Sequence, residues 1–167
     1  SCKYPIPVIF SRLHHPDPRA IRLLVDRLTA TPERSRFAAS ESWLRGCLGA
    51  LPEPGARVLE PPVFELEARC VGEDILIEGR LDCALEFECG RCLKRYRHAL
   101  RDDFRLLLEP VSEQTPSDPE CAEVLAESGI CLGDELEVGW YRGKEIELDR
   151  FLAEVFSLAL PAQPLCR

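Results

Sequence analysis

Two cysteines and a row of cations carry the chemistry of this chain. In ECGRCLKRYRHALRDDFRL, residues 88–106, the knuckle Cys89-Gly90-Arg91-Cys92 runs directly into arginines. Two thiolates at this spacing can grip one zinc ion, and Gly90 gives the tight turn room. The pair supplies two of four ligands; His98 and Cys166 are the candidates to extend it, with Cys131 behind them. The same spacing serves thiol redox chemistry when a helix N-terminus stabilises the thiolate in a thioredoxin-like setting. With neither, it is a cysteine-lined hairpin turn. The residues alone leave all three uses open.

The cations are Arg91, Lys94, Arg95, Arg97, Arg101 and Arg105, interrupted only by Asp102 and Asp103. On a strand, alternate arginines stand on one face, where they can meet successive phosphates. They can equally form the solvated face of an antiparallel sheet, where charge discourages edge-to-edge association. The net charge of −8 argues against a generic polyanion binder. That charge is unevenly spread: Glu109 to Asp149 holds twelve acidic residues against Arg142 and Lys144, and the first fifty residues lean basic. No nucleophile elbow, P-loop, dinucleotide glycine signature or zinc-protease helix is present, so the expectation is a protein that is not an enzyme and takes no small-molecule substrate.

Nine cysteines are an odd number and cannot all pair internally. Cys47, Cys70 and Cys83 sit in apolar company and read as small buried hydrophobes, which suits a reducing cytoplasm better than a disulfide scaffold. No run of about eighteen apolar residues exists, so no membrane span is expected. The chain does not open on a basic stretch followed by an apolar one, so no secretory leader is expected there.

These residues need elements to position them. Tyr4 to Phe10 reads as an edge strand containing two prolines. Asp17 and Pro18 signal a helix start, with Ile21, Leu24, Val25 and Leu28 at helical spacing. Ser40 opens a second helix carrying Trp43, Leu44, Cys47 and Leu48, and LPEPG at 51–55 is a linker. His14 and His15 read as surface residues. From Phe64 to Cys70 apolar residues alternate with charged ones, and after a turn at Gly72 the alternation resumes from Asp74 to Cys89. So long a run calls for a bend or bulge, with Gly79 the best place for it. From Tyr96 onward a strand is preferred to a helix, with Tyr96, Leu100, Phe104, Leu106 and Leu108 inward and Arg95, Arg97, Arg101 and Arg105 outward. Residues 110–119 read as loop, with a short helix around Cys121 to Glu127. Glu135 to Gly139 and Lys144 to Leu148 look like two strands around the YRG turn. Asp149 then caps a helix bearing Leu152, Val155, Phe156 and Ala159. The expected fold is α+β: an antiparallel, barrel-like sheet with helices towards both ends. A single domain over 1–167 is expected, made of an N-terminal helical part (1–55), a central β part (62–109), an acidic loop (110–135) and C-terminal strands and helix (135–167).

At this point the sequence resembles a family. IEGRLDCALEFECGRCLKRY, Ile77 to Tyr96, followed by ELDRFLAEVFSLALPAQPLC, Glu147 to Cys166, is similar to the YceD family, bacterial proteins with plastid relatives required for large-subunit ribosomal RNA accumulation. RSRFAASESWL resembles the family's early block, so the likeness runs roughly from Leu28 to the C-terminus. It implies a role in ribosome biogenesis, with large-subunit ribosomal RNA or an assembly intermediate as partner. It aligns the family's knuckle cysteines with Cys89 and Cys92, and its Pro-Leu-Cys cysteine with Cys166. Many members continue into a tail with further cysteines, the expected source of a fourth thiolate; this sequence stops at Arg167. Joined to the residue-level reading, the resemblance suggests RNA contact through Arg91, Lys94, Arg95, Arg97, Arg101 and Arg105. An adaptor that docks a basic ribosomal protein or assembly factor through its acidic segment is the alternative.

Overall fold

The computed structural model describes residues 21–48, 56–113, 115 and 119–166, the side chains of 46–48 excepted. The expected strand at Tyr4 to Phe10, the helix start at Asp17, His14, His15 and the linker at 51–55 lie outside the described residues. In chain order the elements are β1 (Arg22–Leu24), a 3-10 turn (Val25–Arg27), β2 (Glu33–Ala38), α1 (Glu41–Leu48), β3 (Arg57–Val71), β4 (Asp74–Glu88), β5 (Arg95–Pro110), α2 (Pro119–Ser128), β6 (Ile130–Leu132), β7 (Val138–Tyr141), β8 (Glu145–Glu147) and α3 (Asp149–Ala159).

The long strands β3, β4 and β5 form an antiparallel meander, and the period-2 alternation of their sequence explains it. Phe64, Leu66, Ala68, Ile75, Ile77, Leu81, Leu85, Phe87, Leu106 and Leu108 are nearly or fully buried on one face. β5 is a strand throughout and pairs with β4 from Glu88↔Arg95 to Ile75↔Leu108. Inward parity therefore outweighs the helical spacing that the same residues also satisfy.

The class is α+β, but the barrel is not closed. The six-stranded sheet has the order β2-β3-β4-β5-β7-β6, with β2 and β6 at its edges, and β1 with β8 forms a separate two-stranded sheet. β7 runs parallel to β5. Glu135 to Gly139 and Lys144 to Leu148 were expected to frame one hairpin, yet β7 joins the large sheet and β8 pairs with β1. A parallel neighbour needs a crossover between the strands; here residues 111–137, with α2 and β6, provide it.

Two further expectations change. The helix expected from Ile21 to Leu28 is instead a strand and a 3-10 turn. Ile21 and Leu23 are buried on alternate positions, and pairing with β8 outweighs a weak local helical spacing. Gly79 is not a bulge: β4 is continuous there, and the register shifts lie in β3 between Val58 and Val63, across Pro61 and Pro62. Gly79 answers a different need. A Cβ at this position would meet the Glu65 carbonyl oxygen and stand 2.5 Å from Phe104 Cζ, so glycine lets the Phe104 ring lie across the strand.

A helical layer covers the apolar face. Ser40 caps α1, its hydroxyl accepting the Trp43 N–H at 3.1 Å. Trp43 packs edge-on to Phe37 and Phe64, and Phe151 of α3 meets Phe104 edge-on at 5.7 Å. Asp149 does not cap α3 as expected. Leu148 holds the cap position without a side-chain cap, and the Asp149 carboxylate is buried, accepting the Trp43 indole N–H and the Ile21 backbone N–H, each at 2.5 Å.

α2 belongs to a smaller apolar cluster of Cys121, Leu125 and Cys131, backed by Val111 and Trp140. Cys121 and Cys131 form a disulfide, their Cα atoms 5.5 Å apart. The described residues therefore carry a local crosslink that the expectation of free thiols did not include. Cys83 is buried as expected and Cys70 partly so, while the side chain of Cys47 lies outside those described.

Replacing Asp149 by alanine leaves two buried donors without their acceptor, so urea unfolding should show a loss of about 3 kcal/mol. Asp149→Asn, which keeps an acceptor, should cost less. Reduction of Cys121–Cys131 should lower amide-exchange protection in α2 while β3, β4 and β5 stay protected, because so few buried residues hold α2.

Candidate functional site

The inward parity of β4 ends at Cys89, which is 0 % exposed. The Cys89 N–H donates to the Lys94 carbonyl and the Leu93 N–H donates to the Cys89 carbonyl, both at 2.9 Å, closing the hairpin tip. Glycine was expected to make this turn possible, but the left-handed residue is Leu93, with φ 59°. A Cβ at Gly90 would meet only the Pro164 carbonyl oxygen, at an ordinary 3.7 Å. A leucine in this region costs roughly 1 kcal/mol, and Leu93 is 70 % exposed, so no burial of its own side chain offsets that cost.

The tip meets the segment that follows α3. The Gly90 N–H donates to the Pro164 carbonyl at 2.9 Å, and the Cys166 N–H points at the Cys89 sulfur, 3.3 Å away. The Cys92 and Cys166 sulfurs are 3.4 Å apart. Cys89, Cys92 and Cys166 thus come together, their three sulfurs all within 4.8 Å of one another. Backbone N–H groups of Cys166, Cys92 and Arg91 converge on the Cys89 sulfur and lower its thiol to about 6. Hydrogen bonding to the Cys92 and Cys89 sulfurs pushes Cys166 up to about 11. The cluster therefore holds a thiolate beside a retained proton. A soft metal ion can replace that proton, since thiolates are its natural ligands.

The other two ligand candidates lie elsewhere. The His98 ring packs edge-on against Phe87 and Tyr96, at 5.8 and 6.3 Å between centroids, and is not part of the cluster. Cys131 is bonded to Cys121.

The arginine row faces outward, and most of it is paired. Arg95 bonds Glu86 at 2.8 Å, Arg97 bonds Glu60 at 2.5 Å, Arg101 bonds Asp82 at 2.6 Å and Arg105 lies 3.7 Å from Glu78. The pattern continues across the sheet: Arg80 holds Asp103, Arg34 holds Glu67, and Arg36 and Arg69 stand by Glu65 and Glu78. Antiparallel register puts an acid of one strand opposite a base of the next, and the face becomes a mosaic. These pairs are exposed, so each contributes little stability; their effect is to cancel charge. Of the six predicted cations, Arg91 and Lys94, both exposed at the tip, have no ion pair with a described residue.

The carboxylates behave differently. Glu109 to Glu137 contains nine acidic residues and no lysine or arginine, leaving the rest of the chain nearly balanced at 20 acidic against 21 basic. Glu120, Glu123 and Glu127 lie on α2, and Glu135 and Glu137 just before β7. No described carboxylate of this segment forms a salt bridge with a described lysine or arginine. Summed charge could not expose this contrast; it needed the strand register.

Residues 77–167 match a family model, the large ribosomal RNA subunit accumulation protein YceD. This chain belongs to the YceD family. The matched YceD region holds all three clustered thiols, the arginine row and the acidic segment. The early block RSRFAASESWL, which forms β2 and the start of α1, lies outside the match. No curated protein and no solved structure matches the chain. No helix among the described residues is long and apolar enough to cross a membrane.

Thiol chemistry should separate these cysteines. Burial, reinforced by Glu60, pushes Cys83 up to about 12, so iodoacetamide applied to the native, metal-free chain at pH 8 should leave it unmodified. Cys92, exposed at the tip, should be alkylated before Cys70, Cys83, Cys89 and Cys166, as peptide mass spectrometry would show.

Proposed function

We propose that this chain supports the accumulation of large-subunit ribosomal RNA as a non-enzymatic assembly factor, and that it does so by holding a basic ribosomal protein or assembly factor at its acidic end. Family membership supports the first half. One observation carries the second: the negative charge of the chain is concentrated in a segment with no internal cation, while the arginines are already matched by carboxylates on the sheet. A partner rich in lysine and arginine would find its charges unanswered there, and like-signed nucleic acid would be repelled. On this reading the chain works in the cytoplasm, and ribosomal RNA levels follow from the fate of the captured partner.

Direct contact with ribosomal RNA is a second reading. It is favoured by Arg91 and Lys94, which no described carboxylate neutralises and which flank the exposed Leu93 at the tip. The rest of the predicted row, Arg95, Arg97, Arg101 and Arg105, would first have to release its carboxylates to meet phosphates.

The test is capture of purified large-subunit proteins by the full-length chain after nuclease treatment. Glu120→Lys, Glu123→Lys and Glu127→Lys together should weaken capture at least tenfold, and Arg95→Glu, Arg97→Glu and Arg101→Glu should leave it unchanged. Capture that disappears with nuclease, together with crosslinks from the tip to large-subunit RNA in cells, would replace this reading with the second.

A further inference from the structure

We propose that the Cys121–Cys131 disulfide is a redox switch on the acidic docking surface. Closed, it holds the glutamates of α2 in one array for a basic partner; opened by reduction, it releases the helix and disperses them. The inference rests on the docking reading above and adds its control.

Placement carries the first part. Strand register aligns Glu109, Trp140 and Cys131 in one row across β5, β7 and β6. The residues beside them, Leu108, Tyr141 and Ile130, turn towards the main core. Successive strand residues point to opposite faces, so Trp140 and Cys131 look away from that core. There they meet Cys121 and Leu125 of α2. α1 and α3 instead supply Trp43, Phe151 and Phe156 to the main core. α2 therefore packs on the outer face of the sheet, and its own solvent side carries the exposed Glu120, Glu123 and Glu127.

The disulfide is the strongest tie that α2 has. Cys121 and Leu125 are its buried residues. At 10 residues the helix is shorter than one that stands alone in water. Glu123 lies three residues from Glu120 and four from Glu127, spacings at which like charges repel. The last turn has no basic residue to meet the negative end of the helix dipole. Asp134, Glu135 and Glu137 add exposed negative charge in the same segment. Cys131, by contrast, belongs to a strand held by β7 and rooted through Ile130 in the main core. One covalent bond thus fastens a self-repelling helix to an anchored strand.

The setting makes that bond reversible. The other five described cysteines with placed side chains are free thiols. In the cytoplasm proposed for this chain, lasting disulfides are rare and those that form are usually catalytic or redox-sensing. The partners are 10 residues apart in sequence, and so short a loop gains less from closure than a long one. The step is thiol–disulfide exchange with a low-molecular-weight disulfide, RSSR. One cysteine thiolate attacks a sulfur of RSSR and expels a thiolate; the second cysteine attacks the mixed disulfide and expels the other. Two electrons pass from the cysteine pair to RSSR, and the two thiol protons end on two RSH. A dithiol reverses the reaction.

The test compares the full-length chain, oxidised by a low-molecular-weight disulfide or held reduced by a dithiol, in capturing purified large-subunit proteins. Reduction should weaken capture roughly fivefold or more, the lower end of ordinary coupling between sites. Cys121→Ser and Cys131→Ser should each match the reduced chain and ignore both reagents. Cys92→Ser should still respond, which separates this pair from the thiols at the hairpin tip. A glutamate-specific protease should cut at Glu123 and Glu127 in the reduced chain and spare them in the oxidised one, a readout that needs no partner. Equal capture by the two forms would overturn the switch and leave the docking reading standing. Cleavage at Glu123 and Glu127 that does not change on reduction would also overturn it. An oxidised chain that captures no large-subunit protein would overturn the docking reading, and the switch with it.

Discussion

One buried carboxylate holds the helical layer to the sheet. Asp149 accepts from the backbone of Ile21 and from the indole of Trp43, groups 128 and 106 residues away in the chain. A charge out of water is tolerated only with its hydrogen bonds in place, so three distant segments must arrive together or not at all. The Leu148 N–H reinforces the junction by donating to the Ile21 carbonyl at 2.8 Å. With the start of α3 fixed there, the helix sets Phe151 against Phe104, and its exit sets residues 160–166 on the hairpin tip. The thiol cluster beyond the C-terminal end of α3 thus depends on a polar knot among aromatic side chains at the start of that helix.

The sheet was legible because its strands are long and half-buried. Fifteen residues of alternation from Asp74 name the inner face of β4 without help from anything else. The short strands were harder. β1 and β8 have three residues each and are strands only because each finds the other. β6 went unnoticed for the same reason, since ICL carries too few positions to show a period. Asp149 stood in a standard capping context, and nothing local distinguishes a carboxylate that bonds its own helix from one that reaches a tryptophan in another.

At the candidate site the sequence spacing named Cys89 and Cys92, and the family resemblance named Cys166, because local pattern does not show that the tail returns to the tip. Glycine at position 90 suggested where the turn would be strained; hydrogen bonding between Cys89, Leu93 and Lys94 moved that strain to Leu93. For the arginines, parity told which way they point and could say nothing of what they face. That depends on register, and a shift by one residue would have put Arg101 beside Leu81 or Cys83 instead of Asp82.

The mosaic on the outer face has a consequence for how the molecule travels. Paired charges a few ångströms apart cancel beyond the Debye length, about 8 Å at physiological ionic strength. At a distance the described sheet is then nearly neutral, and the acidic segment stands out as a negative pole. In the field of a cationic surface such a body experiences torque as well as attraction, and it turns its acidic end forward before any side chain touches. The checkerboard of arginines and carboxylates, silent in close contact, would work as a compass by quieting the charge of the sheet beside the acidic segment.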